Sequence, residues 1–289
     1  MMPADRIGTV ILLISCPDRK GIVARIANFI FSKGGNILQS DQYTTDPRDG
    51  VFFLRVEFDL SDTSLHRMEL EQEFGRLALE FRMDWRIRYP QDTKRMAIMV
   101  SRQGHCLVDL LWRWKTGELQ VEIPFVVSNH LDLKEMVEGF GIQFYSFPVT
   151  PETKHQQGDE ILKLFKDKVD FVVLARYMQI LTGAFLSKYP NGIINIHHSF
   201  LPAFVGGKPY EQALERGVKV IGATAHYVTE KLDQGPIIEQ DVIRVTHRDR
   251  LTDIVRKGKD LEKTVLARAV HWHLEDRILV YRNRTVVFI

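Results

Sequence analysis

The sequence predicts an α/β protein with an N-terminal ferredoxin-like βαββαβ domain and a C-terminal, mostly parallel Rossmann-like domain. Three observations predict this fold class. The 289 residues suffice for about two domains, and their 45% hydrophobic content suffices for two buried cores. Apolar runs of period 2 and period 3.6 follow one another in βαββαβ order over residues 7–88. Beyond residue 95, short β-branched runs alternate with helical patterns, which indicates parallel strands joined by helices.

The first domain contains six predicted elements. Apolar β-branched runs indicate its strands, and apolar residues at helical spacing indicate its helices. Gly34-Gly35 is a typical helix end, and Asp46-Pro47-Arg48-Asp49-Gly50 indicates a turn between two strands. We predict a strand, a helix, two strands, a helix and a strand at residues 7–15, 21–30, 36–45, 51–60, 63–79 and 81–88.

The segment between the two patterns of predicted elements is polar and contains a proline. It reads Tyr89-Pro90-Gln91-Asp92-Thr93-Lys94-Arg95 and is the predicted linker, at residues 89–95, between domains at residues 1–88 and 96–289. In the second domain we predict strands at 96–101, 122–127, 171–174, 193–196, 220–228 and 236–245, helices at 106–114, 156–166 and 250–274, and a hairpin at 277–289. Ligands of such sheets bind beyond the carboxyl ends of the strands.

The composition argues against several classes of partner. Lys and Arg total 39 and Asp and Glu total 37, so the net charge of +2 gives no electrostatic basis for binding nucleic acid or an anionic membrane. The apolar run Val10–Ile14 is too short to span a bilayer. Cys16 and Cys106 are the only two cysteines, too few for a disulfide framework, which favours a reducing, cytoplasmic location.

Polar residues are densest where the predicted strand at 193–196 ends, in Asn195-Ile196-His197-His198-Ser199. Alternation along a strand places Asn195 and His197 on the same side. An amide and an imidazole at the carboxyl edge of a sheet are two hydrogen-bond donors suited to a developing oxyanion. The alternative interpretation is a strand-end histidine that only satisfies a neighbouring polar group.

The adjacent pair His197-His198 raises the further alternative of a metal site. Neighbouring residues on a strand point to opposite faces, so these two imidazoles are not expected to bind one ion. The sequence also lacks His-Glu-x-x-His and paired-cysteine spacings. We therefore predict that the site contains no metal.

A second polar segment lies further along, in the turn between the strands predicted at 220–228 and 236–245. It contains Asp233, followed by Gly235-Pro236. On spacing alone, Asp233 is typical of a turn aspartate that caps its own backbone. Neither polar segment identifies a reaction when it is taken alone.

Two motifs of the first domain resemble the ACT domain, a small-molecule regulatory module: Asp18-Arg19-Lys20-Gly21-Ile22-Val23 and Gly34-Gly35-Asn36-Ile37. The resemblance implies that an amino-acid effector, with glycine and methionine as candidates, docks at Asp18, Lys20, Gly21 and Ile22. A helix N-terminus preceded by glycine offers free N–H groups to a carboxylate. The resemblance also implies a homo-oligomer, a dimer or larger. The alternative is that Gly21 only permits a tight turn and the module only dimerises.

Three segments of the second domain, in order and spacing, resemble the folate-dependent formyltransferase family. The matched positions of the two polar segments are Asn195, His197, Ser199, Leu201 and Pro202, then His226, Asp233, Gly235 and Ile237. The resemblance implies 10-formyltetrahydrofolate as substrate and no permanently bound cofactor. The implied folate-binding residues are Arg176, Tyr177, Met178, Gln179, Ile180, Leu181, His226 and Gly235.

The same resemblance implies catalytic roles for Asn195, His197 and Asp233. Asn195 and His197 would stabilise the oxyanion of a tetrahedral intermediate, each donor contributing roughly 3–4 kcal/mol. Asp233 would orient His197 and the attacking nucleophile. Burial would raise the pKa of Asp233 and pairing with His197 would lower it, and the sequence leaves this balance open.

The loop after residue 100 and the ACT-like module indicate whether water or an amine is the nucleophile. The chain after residue 100 reads Ser101-Arg102-Gln103-Gly104, with one glycine where phosphate-cradling loops usually have several. Together with the ACT-like module, the catalytic segments resemble the formyltetrahydrofolate deformylase family, although that family usually has alanine and asparagine in place of Gly207-Lys208. This resemblance implies hydrolysis of 10-formyltetrahydrofolate to formate and tetrahydrofolate, which supplies formate for purine synthesis and balances the one-carbon pool. The alternatives are an amine N-formyltransferase with a nucleotide or amino-sugar acceptor, and a non-catalytic folate or amino-acid sensor.

Overall fold

The computed structural model describes residues 8–46, 48–150, 152–203 and 209–289. A few sequence predictions concern residues outside these ranges, namely the start of the first strand at Ile7, Pro47 in the predicted turn, and Gly207-Lys208. The chain forms two compact units. The first extends to Asp92 and includes Glu275–Leu279 and Val286–Ile289, and the second comprises Thr93–Leu274 and Val280–Thr285.

The first unit has the predicted βαββαβ order. Its elements are β1 (Thr9–Pro17), α1 (Ile22–Ser32), β2 (Asn36–Thr44), β3 (Val51–Asp59), α2 (Arg67–Phe81) and β4 (Asp84–Arg88). The strands form one antiparallel sheet in the order β2-β3-β1-β4. Alternate strand residues such as Leu12 and Val56 share one core with Ile26 and Phe74 of the helices. The ferredoxin-like part of the predicted fold is confirmed.

The largest errors in the predicted boundaries of this unit lie at the start of α2 and at the junction of α2 with β4. The helix begins at Arg67 and not at Thr63, because Thr63 instead closes a turn after β3, its N–H and Oγ1 both bonding to the Leu60 carbonyl. Phe81 ends α2 and does not begin a strand. Arg82 then adopts a left-handed conformation (φ 53°) that stops the helix.

The second unit is built on a seven-stranded sheet. Its elements are β5 (Met96–Val100), α3 (His105–Lys115), β6 (Phe125–Ser128), α4 (Lys134–Gly139), β7 (Gln143–Ser146), α5 (Lys154–Phe165), β8 (Phe171–Leu174), α6 (Gly183–Leu186), β9 (Ile193–His197), α7 (Pro209–Glu215), β10 (Val220–Tyr227), β11 (Ile237–Arg244) and α8 (Leu251–Leu274). The strand order is β11-β10-β9-β8-β5-β6-β7. Strands β5 to β9 are parallel, while β10 is antiparallel to both β9 and β11. The predicted mostly parallel, Rossmann-like sheet is confirmed.

Several local predictions for this unit need correction. Strand β6 begins at Phe125 and not at Glu122, because Pro124 has no N–H to donate to a ladder. Elements α4, β7, α6 and α7 were not predicted. Each has seven residues or fewer, which is too short for a periodic signal. The predicted C-terminal hairpin exists as β12 (Ile278–Tyr281) paired with β13 (Arg284–Val287).

Helices cover the central strands of the second unit. Residues of α5 and α6, including Phe165 and Phe185, share a core with Ala97 and Val172 of the sheet. Helix α8 lies against β9, β10 and β11 and contacts α3 and α7. Within the described ranges no helix, α8 included, has an apolar stretch long enough to cross a membrane.

Candidate active site

The pairing of β9 with β10 brings Asn195 and His226 together. These two residues are direct partners in the antiparallel register, and cross-strand partners lie about 5 Å apart. Asn195 Nδ2 is 3.2 Å from His226 Nε2. His226 Nδ1 lies 2.9 Å from the Tyr227 carbonyl, which can only accept, so Nδ1 carries the proton. In the neutral ring, Nε2 therefore accepts from the Asn195 amide and fixes which end of the amide carries the donors.

His197 lies two residues beyond Asn195, on the same side of β9, and meets Asp233. Its Nδ1 is 3.3 Å from Asp233 Oδ2, and the other carboxylate oxygen is 3.7 Å from His226 Nε2. Two imidazoles thus lie beside one carboxylate, and the fourth side chain, Asn195, contacts His226. The three residues predicted to be catalytic, which lie up to 38 positions apart in sequence (233 − 195), are brought together by the fold.

The turn that carries Asp233 is shaped by an unusual backbone. Asp233 itself has a positive φ of 54°. Two residues later, a Cβ at Gly235 would lie 1.7 Å from the Tyr227 carbonyl oxygen, so only glycine fits. The Tyr227 N–H then donates to the Pro236 carbonyl at 2.9 Å. This close return of the chain beside β10 holds Asp233 opposite the two imidazoles.

The electrostatics of the site favour an ionised Asp233. Burial alone raises the pKa of its carboxyl, but the hydrogen bond and charge of His197, with a further contribution from His226, outweigh burial and hold the pKa well below its ordinary value. The sequence left open whether burial or pairing with His197 decides the pKa of Asp233, and in the structure the pairing prevails. His197 is 6% exposed, and its Nε2 is buried without a hydrogen-bond partner among the residues that the structure describes.

Thr224, which the sequence reasoning missed, secures the loop after His197. Its buried hydroxyl donates to the Ser199 carbonyl at 2.8 Å and accepts from the Leu201 N–H at 3.1 Å. Gln240 Nε2 also donates to this hydroxyl, at 2.9 Å. Thr224 is the register partner of His197, so the strand pairing itself places it there.

The expectation that His197 and His198 point to opposite faces is wrong. Their ring centroids lie 5.3 Å apart, because β9 ends at His197 and the alternation of a strand no longer applies to His198. Burial lowers the pKa of His198 to about 4, with the nearby Arg176 adding to the effect. His198 is therefore a neutral ring at physiological pH.

Comparison with known proteins agrees with this geometry. The sequence model of the family described as Formyl transferase matches residues 94–270, and that of the ACT domain matches residues 10–75. A formyltetrahydrofolate deformylase from Synechocystis is 56% identical over 281 residues, which are 97% of this chain and 98% of the relative. A crystal structure of a formyltetrahydrofolate deformylase from Pseudomonas syringae matches with a TM-score of 0.94 at 50% identity, covering 98% of this chain and 95% of that one.

The chain belongs to the formyltetrahydrofolate deformylase family. It is also similar to a glycinamide ribonucleotide transformylase from Symbiobacterium toebii, at 30% identity and a TM-score of 0.64. That likeness covers 95% of the transformylase but only 68% of this chain.

In this member of the deformylase family, most residues of the predicted folate loop line one pocket. Gln179, Ile180 and Leu181 line a pocket with residues of α5 and with Phe185. Tyr177, which is buried in the core, lines the same pocket, and the Met178 N–H donates to Ser101 Oγ at 2.9 Å. Met178 nevertheless leaves its side chain 61% exposed.

Arg176, the first residue predicted to bind folate, directs its side chain elsewhere. Its guanidinium is 7% exposed and lies with Nε 3.5 Å from Glu262 Oε2, as an ion pair without hydrogen-bond geometry. Its backbone has a positive φ of 66°. Glu262, far along the chain on α8, gave no sequence signal.

One group of side chains in the described ranges has the donor spacing of a metal site: His105, Cys106 and Glu262, whose ligand atoms lie within 4.8 Å of one another. Burial, together with the charge of Glu262, raises the pKa of the Cys106 thiol well above its ordinary value. The carboxylate already faces Arg176 and His105. These residues fit an internal polar cluster better than a metal.

The predicted effector residues lie together between β1 and α1 of the first unit. Gly21 has a φ of 94° and precedes the first turn of α1 without a side-chain cap. Asp18 Oδ2 accepts from Thr44 Oγ1 at 3.0 Å, and Lys20 is exposed. Ile22 is 2% exposed, so it contributes its backbone N–H and not its side chain to this surface.

Proposed function

We propose that the chain hydrolyses 10-formyltetrahydrofolate to formate and tetrahydrofolate in its second unit. The observation that carries this proposal is the arrangement of Asn195, His197 and Asp233 at the carboxyl end of β9, the end at which open α/β sheets bind their ligands. Relatives that align over nearly the whole chain are named for this activity.

The proposed chemistry is addition of water to the formyl carbon. The second N–H of the Asn195 amide and the Nε2–H of a protonated His197 donate to the oxygen that becomes negative in the tetrahedral intermediate. The bond between the formyl carbon and N10 of the folate then breaks. Formate leaves with the water oxygen, and N10 takes up the proton that the water releases.

Asp233 is proposed to orient and not to act as the principal base. A carboxyl with a lowered pKa holds its proton weakly, whereas an ionised carboxylate 3.3 Å from Nδ1 stabilises the imidazolium of His197. The same carboxylate can accept a hydrogen bond from the attacking water. That hydrogen bond directs a lone pair of the water oxygen toward the formyl carbon.

The folate ring is proposed to bind beside Gln179, Ile180 and Leu181, which line a pocket, with the exposed side chain of Met178 at its edge. His226 and Gly235 shape the catalytic end of the site. His226 orients the Asn195 amide, and Gly235 permits the turn that presents Asp233.

The first unit is proposed to be regulatory. An amino acid, glycine or methionine, would bind at Asp18, Lys20, Gly21 and the backbone of Ile22, and the units would pair in a homo-oligomer. Residues 1–88 would form this domain, joined through 89–95 to a catalytic domain at 96–289. We further propose a cytoplasmic role in supplying formate for purine synthesis, in keeping with the two buried free cysteines.

The test is formate release by the purified full-length chain from 10-formyltetrahydrofolate with no amine present. We expect formate and tetrahydrofolate in equal amounts, at a rate far above the uncatalysed background. Formation of tetrahydrofolate and a formamide, without formate, only after an amine acceptor is added would instead identify a formyltransferase. Folate binding without turnover would identify a sensor.

A further inference from the structure

The sheet of the second unit has a switch point between β5 and β8. After β5 the chain builds β6 and β7 on one side, then returns to the other side of β5 to build β8 and β9. Doubly wound sheets bind ligands in the crevice at the carboxyl ends of the two strands where the order reverses. Here that crevice lies between Ser101–Gly104 after β5 and Arg176 after β8.

The crevice holds a buried carboxylate that belongs to the chain itself. Glu262, which is 1% exposed, accepts from the Tyr210 hydroxyl at 2.5 Å and lies 2.9 Å from His105 Nε2. Arg176 Nε is 3.5 Å from the same carboxylate, and Arg176 Nη2 donates to Gln103 at 3.4 Å. The loop after β8 and helices α3, α7 and α8 thus all direct a polar side chain into one space.

The Glu262 carboxylate is paired within the cluster. Burial alone raises the pKa of Glu262, but His105, Arg176 and Tyr210 outweigh burial and lower it, so the carboxylate is ionised and paired. Burial, with the charge of Glu262, raises the pKa of Tyr210 far above its ordinary value, so the phenol keeps its proton and donates. A buried ion of this kind is tolerated only when its partners satisfy it.

Tyr210 is the bulky side chain of the cluster, and its ring connects the cluster to the catalytic residues through His198. A Cβ at Gly258 of α8 would lie 2.2 Å from the Tyr210 hydroxyl oxygen, so the phenol ring occupies space that this glycine leaves open. Tyr210 also packs edge-on against His198, at 5.7 Å between centroids, and His198 packs against His197. The His198 ring is therefore all that separates Tyr210, which fills the crevice, from His197, one of the two proposed oxyanion donors.

We infer that Tyr210, His105, Arg176 and Glu262 determine the formyl acceptor: they fill the crevice in which an organic amine would lie, so only water reaches the formyl carbon. This inference rests on the proposed deformylase activity. If the crevice is opened, a primary amine can attack the formyl carbon, the bond to N10 breaks, and the amine proton passes to N10, giving a formamide and tetrahydrofolate.

The experiment compares wild type, Tyr210→Ala and Tyr210→Phe in full-length protein, with 10-formyltetrahydrofolate and either methylamine or glycinamide. The alanine variant opens the crevice. The phenylalanine variant removes the hydrogen bond to Glu262 but keeps the ring, and so separates volume from polarity. We expect Tyr210→Ala to produce formylated amine at a product ratio roughly tenfold or more above wild type, and Tyr210→Phe to give formate only.

Two outcomes overturn the inference, and a third contradicts the proposed function instead. Wild type that formylates glycinamide at the same product ratio as Tyr210→Ala overturns the inference, and so does a folded, formate-releasing Tyr210→Ala that makes no formamide. If Tyr210→Ala does not fold, His105→Ala opens the same crevice from α3 and takes its place. Wild type that releases no formate under any condition contradicts the proposed function instead.

Discussion

His197 Nδ1 lies 3.3 Å from Asp233 Oδ2, while Nε2 of the same ring is buried without a hydrogen-bond partner among the described residues. One nitrogen is thereby held by an anion and the other is available to a substrate. The relationship exists because the fold returns the chain beside β10 after the turn at Gly235. The ionised Asp233 carboxylate can accept a hydrogen bond from Nδ1–H and so orient the ring.

For Asp233→Asn we expect formate release to fall roughly 10²–10⁴-fold, because the amide cannot stabilise the imidazolium of His197. Steady-state assays of formate release measure this loss. Asp260→Asn, on the exposed surface of α8, is the matched control and should retain the wild-type rate. An Asp233→Asn enzyme of normal activity and normal fold would rule out the proposed role.

His226 should control kcat through Asn195. For His226→Phe we expect kcat to fall roughly 10²–10³-fold with KM nearly unchanged, because the Asn195 amide loses the acceptor that fixes its orientation. The effect should be far from additive with Asn195→Ala, since both changes remove one oxyanion donor. If His226 acts mainly by binding folate, KM will rise instead and the two effects will add.

The sequence predicted the residues of this site better than their arrangement. The strand that carries Asn195 and His197 was predicted from its apolar run, and β8 was predicted at its observed bounds. The contact between Asn195 and His226 depends on β10 pairing antiparallel to β9, and short-range periodicity carries no information about strand order. Glu262 was missed for the same reason: it reads as one charge on an amphipathic helix until α8 packs on α3 and α7.

Gly235→Ala should unfold or distort the turn that presents Asp233. Its Cβ would meet the Tyr227 carbonyl oxygen at 1.7 Å, and the backbone must shift to relieve this overlap. We expect a loss of stability of roughly 3 kcal/mol together with a loss of formate release. Gly139→Ala is the control, because a Cβ there meets nothing within 4 Å. Thermal unfolding of both variants provides the measurement, and equal midpoints would contradict the expectation.

His198 should make the second unit less stable as the pH falls. Burial lowers its pKa from 6.5 to about 4, so below pH 6.5 the unfolded state takes up a proton that the folded state refuses. The stability that the neutral ring contributes is complete above pH 6.5 and is lost as the pH falls to about 4, by roughly 3 kcal/mol at that point. The difference in urea midpoint between wild type and His198→Phe, followed over this range, separates the contribution of His198 from that of the titrating carboxyl groups. A difference that does not vary with pH would show that His198 titrates normally.

The amino-acid effector provides the last prediction. A free amino acid offers a carboxylate to the N–H groups at the start of α1 and an ammonium to the carboxylate of Asp18. Calorimetric titration of the full-length chain with glycine and with methionine should show binding of one of them and a change in the rate of formate release. Asp18→Ala should abolish both effects, while Asp62→Ala, an exposed aspartate of the same unit, should retain them. If neither amino acid binds to wild type, the effector assignment fails. If binding persists in Asp18→Ala, the site lies elsewhere in the first unit.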